Sequence, residues 1–182
     1  MKSEMAGDRI ASLYSMLLSV RDRLRDGGDR LVLAESCTAG LVAAELGQIP
    51  GISEFLCGSM VVYRTPTKTA WLGISSELLG DPAIGPVSAE VTIALARAVL
   101  EKTPEATIAA AITGHLGPDA PAGMDGQVYC AMVRRDAPGE RFEVQSLKLT
   151  SPSVTNLEDL AGRGVRQKEA AYGLLGFLEK KL

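Results

Sequence analysis

Two hydrophobic periods alternate along this chain and predict alternating helices and strands. Apolar side chains recur every three to four positions over residues 8–25, which is typical of an amphipathic N-terminal helix. Short apolar or β-branched runs predict strands at 31–34, 58–65, 106–113, 127–135 and 141–150. Helical periodicity returns over 38–48, around Lys68, from Ser88 onward, and after a Thr155-x-x-Glu158 capping box. This order predicts an α/β fold: a three-layer α/β/α sandwich with a mixed sheet, whose last two strands form an antiparallel pair.

Composition narrows the classes of function that remain. A length of 182 residues fits a single domain over 1–182. The net charge of -3 and the aromatic content of 4% argue against a nucleic-acid partner. No apolar run is long enough for a membrane span, and Glu4 and Asp8 interrupt any signal peptide. The three cysteines, without a C-x-x-C pair, predict reduced thiols in a cytoplasmic protein and no zinc site.

The candidate chemistry lies in three loops that follow predicted strands. These loops are 35–38, 63–68 and 113–119. Because ligands of open α/β sheets bind at the carboxyl ends of strands, we expect the three loops to form one site.

Ser36 lies where a predicted buried strand meets a predicted helix. Its hydroxyl could act as a nucleophile, with amides of the helix start as an oxyanion hole, or it could simply cap the helix. Cys37 is a rival nucleophile, and a buried packing role is an equal alternative for it. Glu35 and Thr38 add two more polar side chains beside Ser36. Because one side chain is enough to cap a helix, these extra groups favour a catalytic role over simple capping.

The other two loops offer a base and ligand-binding groups. Lys68 is either a surface lysine or a general base, and a base requires desolvation to lower its pKa from about 10.4 to about 7–8. His115 is the only histidine, and it is a better candidate for a pocket-lining donor than for a base. Gly114 and Gly117 could form an anion-binding nest or a plain turn.

Four segments of the chain also resemble a known family. "AESCTAGLVAAEL", "GSMVVYRTPTKTAWLGI", "VSAEVTIALA" and "AAITGHLGPDAPAG...GQVYCA" are similar to the CinA C-terminal domain family, the nicotinamide-nucleotide amidohydrolases. The resemblance runs from about Val32 to about Leu175. Long members carry a separate N-terminal domain, which we do not expect in a chain of this length.

The resemblance implies an amidase that hydrolyses the carboxamide of nicotinamide mononucleotide to nicotinic acid mononucleotide and ammonia. By motif match, Ser36 is the nucleophile, Lys68 the base, and Tyr63 a member of their hydrogen-bond network. Such a pair needs no metal or cofactor. The resemblance also implies a homodimer.

The resemblance further implies a substrate site. Thr113 opens the family's S/T-G-x-x-G-P loop, and Arg166 falls at an arginine of the last helix that could meet a phosphate. The expected lining residues are Glu35, Cys37, Thr38, Thr113, Gly114, His115, Gly117 and Arg166. The 114–126 loop departs from the family pattern, with His115 at a usually aliphatic position. That departure favours the alternative of a non-catalytic nucleotide-binding or regulatory module on the same fold.

Overall fold

The computed structural model describes residues 2–136 and 139–182. The helices are α1 (Lys2–Gly27), α2 (Leu41–Leu46), α3 (Thr65–Leu72), α4 (Ser76–Gly80), α5 (Ala89–Lys102) and α6 (Leu160–Lys181). The strands are β1 (Leu31–Glu35), β2 (Leu56–Val61), β3 (Ile108–Gly114), β4 (Gln127–Asp136) and β5 (Gly139–Lys148).

The five strands form one mixed sheet in the order β2-β1-β3-β4-β5. Strand β1 pairs in parallel with both β2 and β3, so Leu31 lies between Leu56 and Ile108. Strands β3, β4 and β5 pair antiparallel, which confirms the predicted terminal pair. The carboxyl ends of β2, β1 and β3 therefore meet at one edge, with β1 in the middle.

Helices cover both faces of this sheet. On one face, α1, α2 and α6 enclose a core that includes Leu33, Ile112 and Phe177. On the other face, α3, α4 and α5 enclose a second core, in which Leu95 of α5 and Ala34 of β1 are both buried. Alternation of side chains along β1 explains the division, because consecutive residues of a strand point to opposite faces. The predicted three-layer α/β/α sandwich is confirmed.

Two boundaries next to the candidate site differ from the prediction. Helix α2 begins at Leu41 rather than at residue 38, because Ala39 and Gly40 have φ values of 54° and 95° in the left-handed region. Strand β2 ends at Val61, so Tyr63 lies in the connection to α3 and not in the strand.

Two helix starts were also not predicted. The expected capping box at Thr155 and Glu158 is wrong: α6 starts later, and its cap is Asp159, whose side chain accepts a hydrogen bond from the Gly162 amide. Helix α4 was missed, although Ser75 caps it by accepting from the Leu78 amide. Over the described residues, no helix combines the length and apolar character that crossing a membrane requires.

Candidate active site

The central observation is a buried pair formed by Ser36 and Lys68. Lys68 lies in α3, and its Nζ is 3.1 Å from Ser36 Oγ. Ser36 is 6% exposed and Lys68 2% exposed. The separation and the burial of Lys68 agree with the geometry expected of a base beside a nucleophile, whereas Ser36 is less exposed than that hypothesis expected.

The environment of Lys68 favours the neutral amine. Burial lowers the pKa of Lys68, and the charge of a Cys37 thiolate would oppose that shift. No carboxylate of the described residues lies within ion-pair distance of Nζ. A lysine whose pKa is lowered can accept a proton from a neighbouring hydroxyl at a lower pH than a solvated lysine can.

Cys37 belongs to the opposite face of the sheet and is a packing residue. It is part of the core beneath α1 and α6, and burial raises the pKa of its thiol to about 12. A Cβ at Gly114 would lie 3.1 Å from Cys37 Sγ, so the thiol packs closely against that backbone. Because the thiolate is the nucleophilic form, this environment argues against Cys37 as the nucleophile.

Glu35 organises the turn that carries Ser36. Its buried carboxylate accepts hydrogen bonds from the hydroxyls of Thr38 (2.7 Å) and Ser59 (3.0 Å). It also accepts from three amides at the start of α2, those of Gly40, Val42 and Ala43, at 3.0–3.1 Å. Glu35 is therefore a structural anchor and not a substrate contact.

This arrangement corrects the expected oxyanion hole. The amides at the start of α2 already donate to Glu35, so they are not available to a developing oxyanion. The amides of Cys37 and Thr38, in the turn after Ser36, make no hydrogen bond to another described residue. The amide after a nucleophile is a common oxyanion donor, so this turn replaces the helix as the candidate.

Thr113 lies beside Ser36 but is fully buried. The Ser36 amide donates to the carbonyl of Ile112, which places Thr113 next in register on the face that carries Ser36. Thr113 Oγ1 is 2.8 Å from Thr92 Oγ1, which itself donates to the carbonyl of Ser88 at 2.6 Å. Because Thr92 has only one hydroxyl proton, Thr113 must be the donor between the two. Thr92 was not identified from the sequence.

Tyr63 does not join the hydrogen bond between Ser36 and Lys68, contrary to expectation. It is 50% exposed, and its hydroxyl accepts from Arg163 Nη2 at 2.8 Å. Arg163 Nη1 donates to the carbonyl of Gly117. Sequence reasoning missed Arg163, since one arginine near the start of an amphipathic helix gives no distinctive signal.

Arg166 is buried and already engaged. Its guanidinium binds Asp125 through two hydrogen bonds of 2.7 and 3.0 Å. The expected phosphate contact is therefore not supported, because the carboxylate occupies two of the guanidinium donors. The pairing instead ties the 114–126 loop to α6, and a Cβ at Gly117 would lie 3.1 Å from Arg166 Nη1.

Within the 114–126 loop, His115 is fixed mainly by hydrogen bonds of its own backbone. The His115 amide donates to the carbonyl of Gln127, and its carbonyl accepts from Gly126. The half-buried imidazole has its pKa lowered by burial, while the charge of Asp125 acts in the opposite direction. No hydrogen bond joins His115 to Ser36 or Lys68.

Among the described residues, neither a metal site nor the groove between α1 and α6 offers an alternative to this site. No cluster of His, Cys, Asp or Glu side chains among them could hold a metal ion. A groove of about 1050 Å³ lies between α1 and α6, away from Ser36. Its carboxylate Glu169 is occupied by hydrogen bonds from Thr150 and Ser151.

Comparison with known proteins identifies the family of this chain. The family model described as "CinA C-terminal domain" matches residues 14–161. The chain belongs to the CinA C-terminal domain family. A CinA-like protein of Myxococcus xanthus is 36% identical over 133 residues, which cover 72% of this chain and 30% of that protein. The chain thus spans about 30% of the length of the curated relatives it matches.

Solved structures of the family share the fold. Competence damage-inducible protein A of Klebsiella pneumoniae superposes with a TM-score of 0.79 at 23% identity, covering 93% of this chain and 96% of that one. A CinA superfamily protein of Enterobacter cloacae gives a TM-score of 0.76 at 25% identity, with 93% and 91% covered. The α/β fold of this chain is therefore shared by these solved proteins.

Proposed function

We propose that the protein is a nicotinamide-nucleotide amidohydrolase. It would convert nicotinamide mononucleotide and water to nicotinic acid mononucleotide and ammonia. The observation that carries this proposal is the 3.1 Å separation of Lys68 Nζ and Ser36 Oγ in a buried site. A serine hydroxyl beside a lysine with a lowered pKa is one of the nucleophile and base pairs that can carry out covalent amide hydrolysis.

In the first half of the reaction, neutral Lys68 takes the proton of the Ser36 hydroxyl. Oγ then attacks the carboxamide carbon, forming a C–O bond and leaving negative charge on the former carbonyl oxygen. The amides of Cys37 and Thr38 are the proposed donors to that oxygen. The Lys68 ammonium next gives its proton to the amide nitrogen, the C–N bond breaks, and ammonia leaves an ester on Ser36.

In the second half, water attacks this ester with Lys68 again as base. The C–O bond to Ser36 breaks, the serine recovers its proton, and the carboxylic acid product is released. In both halves, Lys68 carries the protons between Ser36, the leaving nitrogen and water while the acyl group passes to Ser36 and then to water, so the proposed chemistry requires no metal or cofactor. The unpaired thiols of Cys37, Cys57 and Cys130 support a cytoplasmic setting for the reaction.

The test is ammonia release from nicotinamide mononucleotide by the wild type and three variants. Ser36→Ala and Lys68→Met should each lower kcat by at least about 10³-fold, since they remove the nucleophile and its base. Cys37→Ser, the neighbouring control, should keep most of the activity. Full activity of Ser36→Ala, together with loss in Cys37→Ser, would reject Ser36 as the nucleophile.

A non-catalytic nucleotide-binding module is the second candidate. The near-complete burial of Ser36 favours it, because a substrate carbonyl must reach that hydroxyl. Titration calorimetry separates the two functions. Binding of nicotinamide mononucleotide without ammonia release, unchanged in Ser36→Ala, would identify a binding module.

A further inference from the structure

The turn that follows Ser36 is tied to the last helix by a residue that was not predicted from the sequence. Gln167, a half-buried residue of α6, donates a hydrogen bond from Nε2 to the Thr38 carbonyl at 3.0 Å. The two residues lie 129 positions apart in the chain. The same carbonyl accepts from the Leu41 amide, which closes the turn. This contact therefore links α6 directly to the backbone beside the proposed nucleophile.

Thr38 is held at each of its polar groups except the amide. Its hydroxyl donates to Glu35 Oε2 at 2.7 Å, and its carbonyl accepts from Gln167 and Leu41. Thr38 is fully buried, and its amide makes no hydrogen bond to another described residue. A buried amide without a partner is uncommon, because it has lost its hydrogen bonds to water without replacement. An amide in this state is suited to receive the negative charge of a reaction intermediate.

The backbone of this turn needs support from its surroundings. Ala39 and Gly40 have φ values of 54° and 95°, both in the left-handed region. A residue with a Cβ rarely adopts this conformation, and it persists only where neighbouring contacts enforce it. Glu35 supplies such contacts from β1, and Gln167 supplies one from α6. The contact from α6 acts on the peptide bond that joins Thr38 to Ala39, so it restrains the strained residue directly.

We propose that Gln167 is a positioning residue that fixes the oxyanion-binding turn for acyl transfer at Ser36. By holding the Thr38 carbonyl, Gln167 restricts the rotation of the residue whose amide donates to the oxyanion. Donors that are fixed before the reaction stabilise developing charge without a cost of reorganisation. The role of the amide in the reaction rests on the proposed function, whereas the tie between α6 and the turn rests on the hydrogen bond of 3.0 Å.

The first test is steady-state kinetics with nicotinamide mononucleotide. Gln167→Met keeps the approximate length and the helix propensity of the side chain but removes the donor. We expect kcat to fall about tenfold with KM nearly unchanged, which is less than the roughly 10²- to 10³-fold loss for deleting an oxyanion donor outright. Gln167→Lys restores a donor and should recover most of kcat. Lys168→Met, at the adjacent exposed position of α6, is the matched control and should have wild-type kinetics.

The second test needs no turnover of the nucleotide. It uses the pyridine boronic acid that has boron in place of the carboxamide carbon of nicotinamide. Boron accepts the Ser36 oxygen and forms a B–O bond, while the serine proton passes to Lys68. The adduct is a tetrahedral anion and so resembles the intermediate of amide hydrolysis. Its dissociation constant, measured by boron NMR, should rise about tenfold in Gln167→Met and return toward the wild-type value in Gln167→Lys.

The outcomes of the two tests separate this inference from the proposed function. Equal kcat and equal boronate affinity in the wild type, Gln167→Met and Lys168→Met would overturn the positioning role. A KM that rises in Gln167→Met by the same factor as kcat falls would also overturn it, because Gln167 would then only support the fold. The absence of any boronate adduct with the wild type would do the same. Boronate binding that depends on Gln167, without ammonia release from nicotinamide mononucleotide, would reject the proposed function alone.

Discussion

Glu35 and Ser36 are consecutive residues whose side chains lie on opposite faces of the sheet and contact different helix layers. Glu35 accepts amide hydrogen bonds from α2 on one face, and Ser36 bonds Lys68 of α3 on the other. The end of β1 therefore separates a stabilising group from the proposed nucleophile within two residues. Substitutions at the two positions should have distinct effects.

Glu35→Gln should destabilise the fold by at least about 2 kcal/mol. The substitution keeps the shape but turns one acceptor oxygen into a donor that faces backbone amides. Urea denaturation should show a lower midpoint with an unchanged m-value. Glu45→Gln, in the helix α2 whose amides Glu35 accepts from, is the control for the same chemical change and should shift the free energy of unfolding by no more than about 0.5 kcal/mol. Equal midpoints for the two variants would contradict this account of Glu35.

The pH dependence should follow the lowered pKa of Lys68. Amide hydrolysis should rise with pH as Lys68 loses its proton, with an inflection below the ordinary value of 10.5. Stability follows the same group, because the unfolded chain binds more protons between the folded pKa and 10.5. The free energy of unfolding should therefore rise with pH through that window.

Lys68→Met isolates this contribution. At neutral pH the variant lacks the cost of burying an ammonium, so its stability relative to the wild type should decrease as pH approaches 10.5. Chemical denaturation at several pH values measures the difference. A difference that does not change with pH would mean that Lys68 has an ordinary pKa in the folded protein.

Thr92→Val should impair turnover without touching the reacting atoms. It removes the acceptor for the Thr113 hydroxyl, which then lacks the partner that sets its orientation beside Ser36. We expect kcat to fall about tenfold, which corresponds to the free energy of one uncompensated hydrogen bond, and KM to change less. Thr92→Ser retains the hydroxyl and should restore most of kcat. Equal losses in Val and Ser variants would indicate a packing effect.

Asp125→Asn should destabilise the protein most at neutral pH. Hydrogen bonds from Arg166 lower the pKa of Asp125, so the stabilisation is present above its ordinary value of 3.8 and is lost as pH falls through the lower folded value. Asp125 is partly exposed, and we expect about 1–3 kcal/mol. Thermal unfolding at pH 7 and near pH 3 measures the difference. A difference that grows on acidification would contradict the role of the pair.

A homodimer remains the expected assembly. The edge strand β5 exposes the apolar side chains of Phe142 and Val144, and the Arg97 guanidinium lies 5.2 Å from the centre of the Phe142 ring. Light scattering should give about twice the monomer mass of 19.2 kDa. A monomer at micromolar concentration would count against it.

The spacing of apolar residues predicted the three layers and most of the helices and strands. This was possible because apolar residues recur every second position in a strand and about every 3.6 positions in a helix, and both spacings can be read from the sequence. The proximity of Ser36 and Lys68 followed from motif resemblance and from the rule that strand ends converge. The partners of Arg166 and Arg163 could not be predicted in this way. Asp125 and Tyr63 lie 41 and 100 residues away from them, and only the folded chain brings each pair together.

The start of α2 shows the same limit on a local scale. A Ser or Thr before an apolar run normally caps a helix, which placed the start at residue 38. Glu35 performs that task from the preceding strand, because the turn through Ala39 and Gly40 brings the α2 amides back onto its carboxylate. A side chain reaching forward over several residues has no signature in hydrophobic periodicity.

The burial of Ser36 and Lys68, set against the exposure of Tyr63, bears on how such a protein can change over evolutionary time. Substitutions at the buried pair should disturb both the core and the proposed reaction, so we expect few of them to be tolerated. Substitutions in the half-exposed rim of Tyr63, His115 and Arg163 lose little packing and can accumulate. If the proposed function holds, descendants of one ancestor could acquire new substrates by exchanging rim residues while keeping the same chemical step.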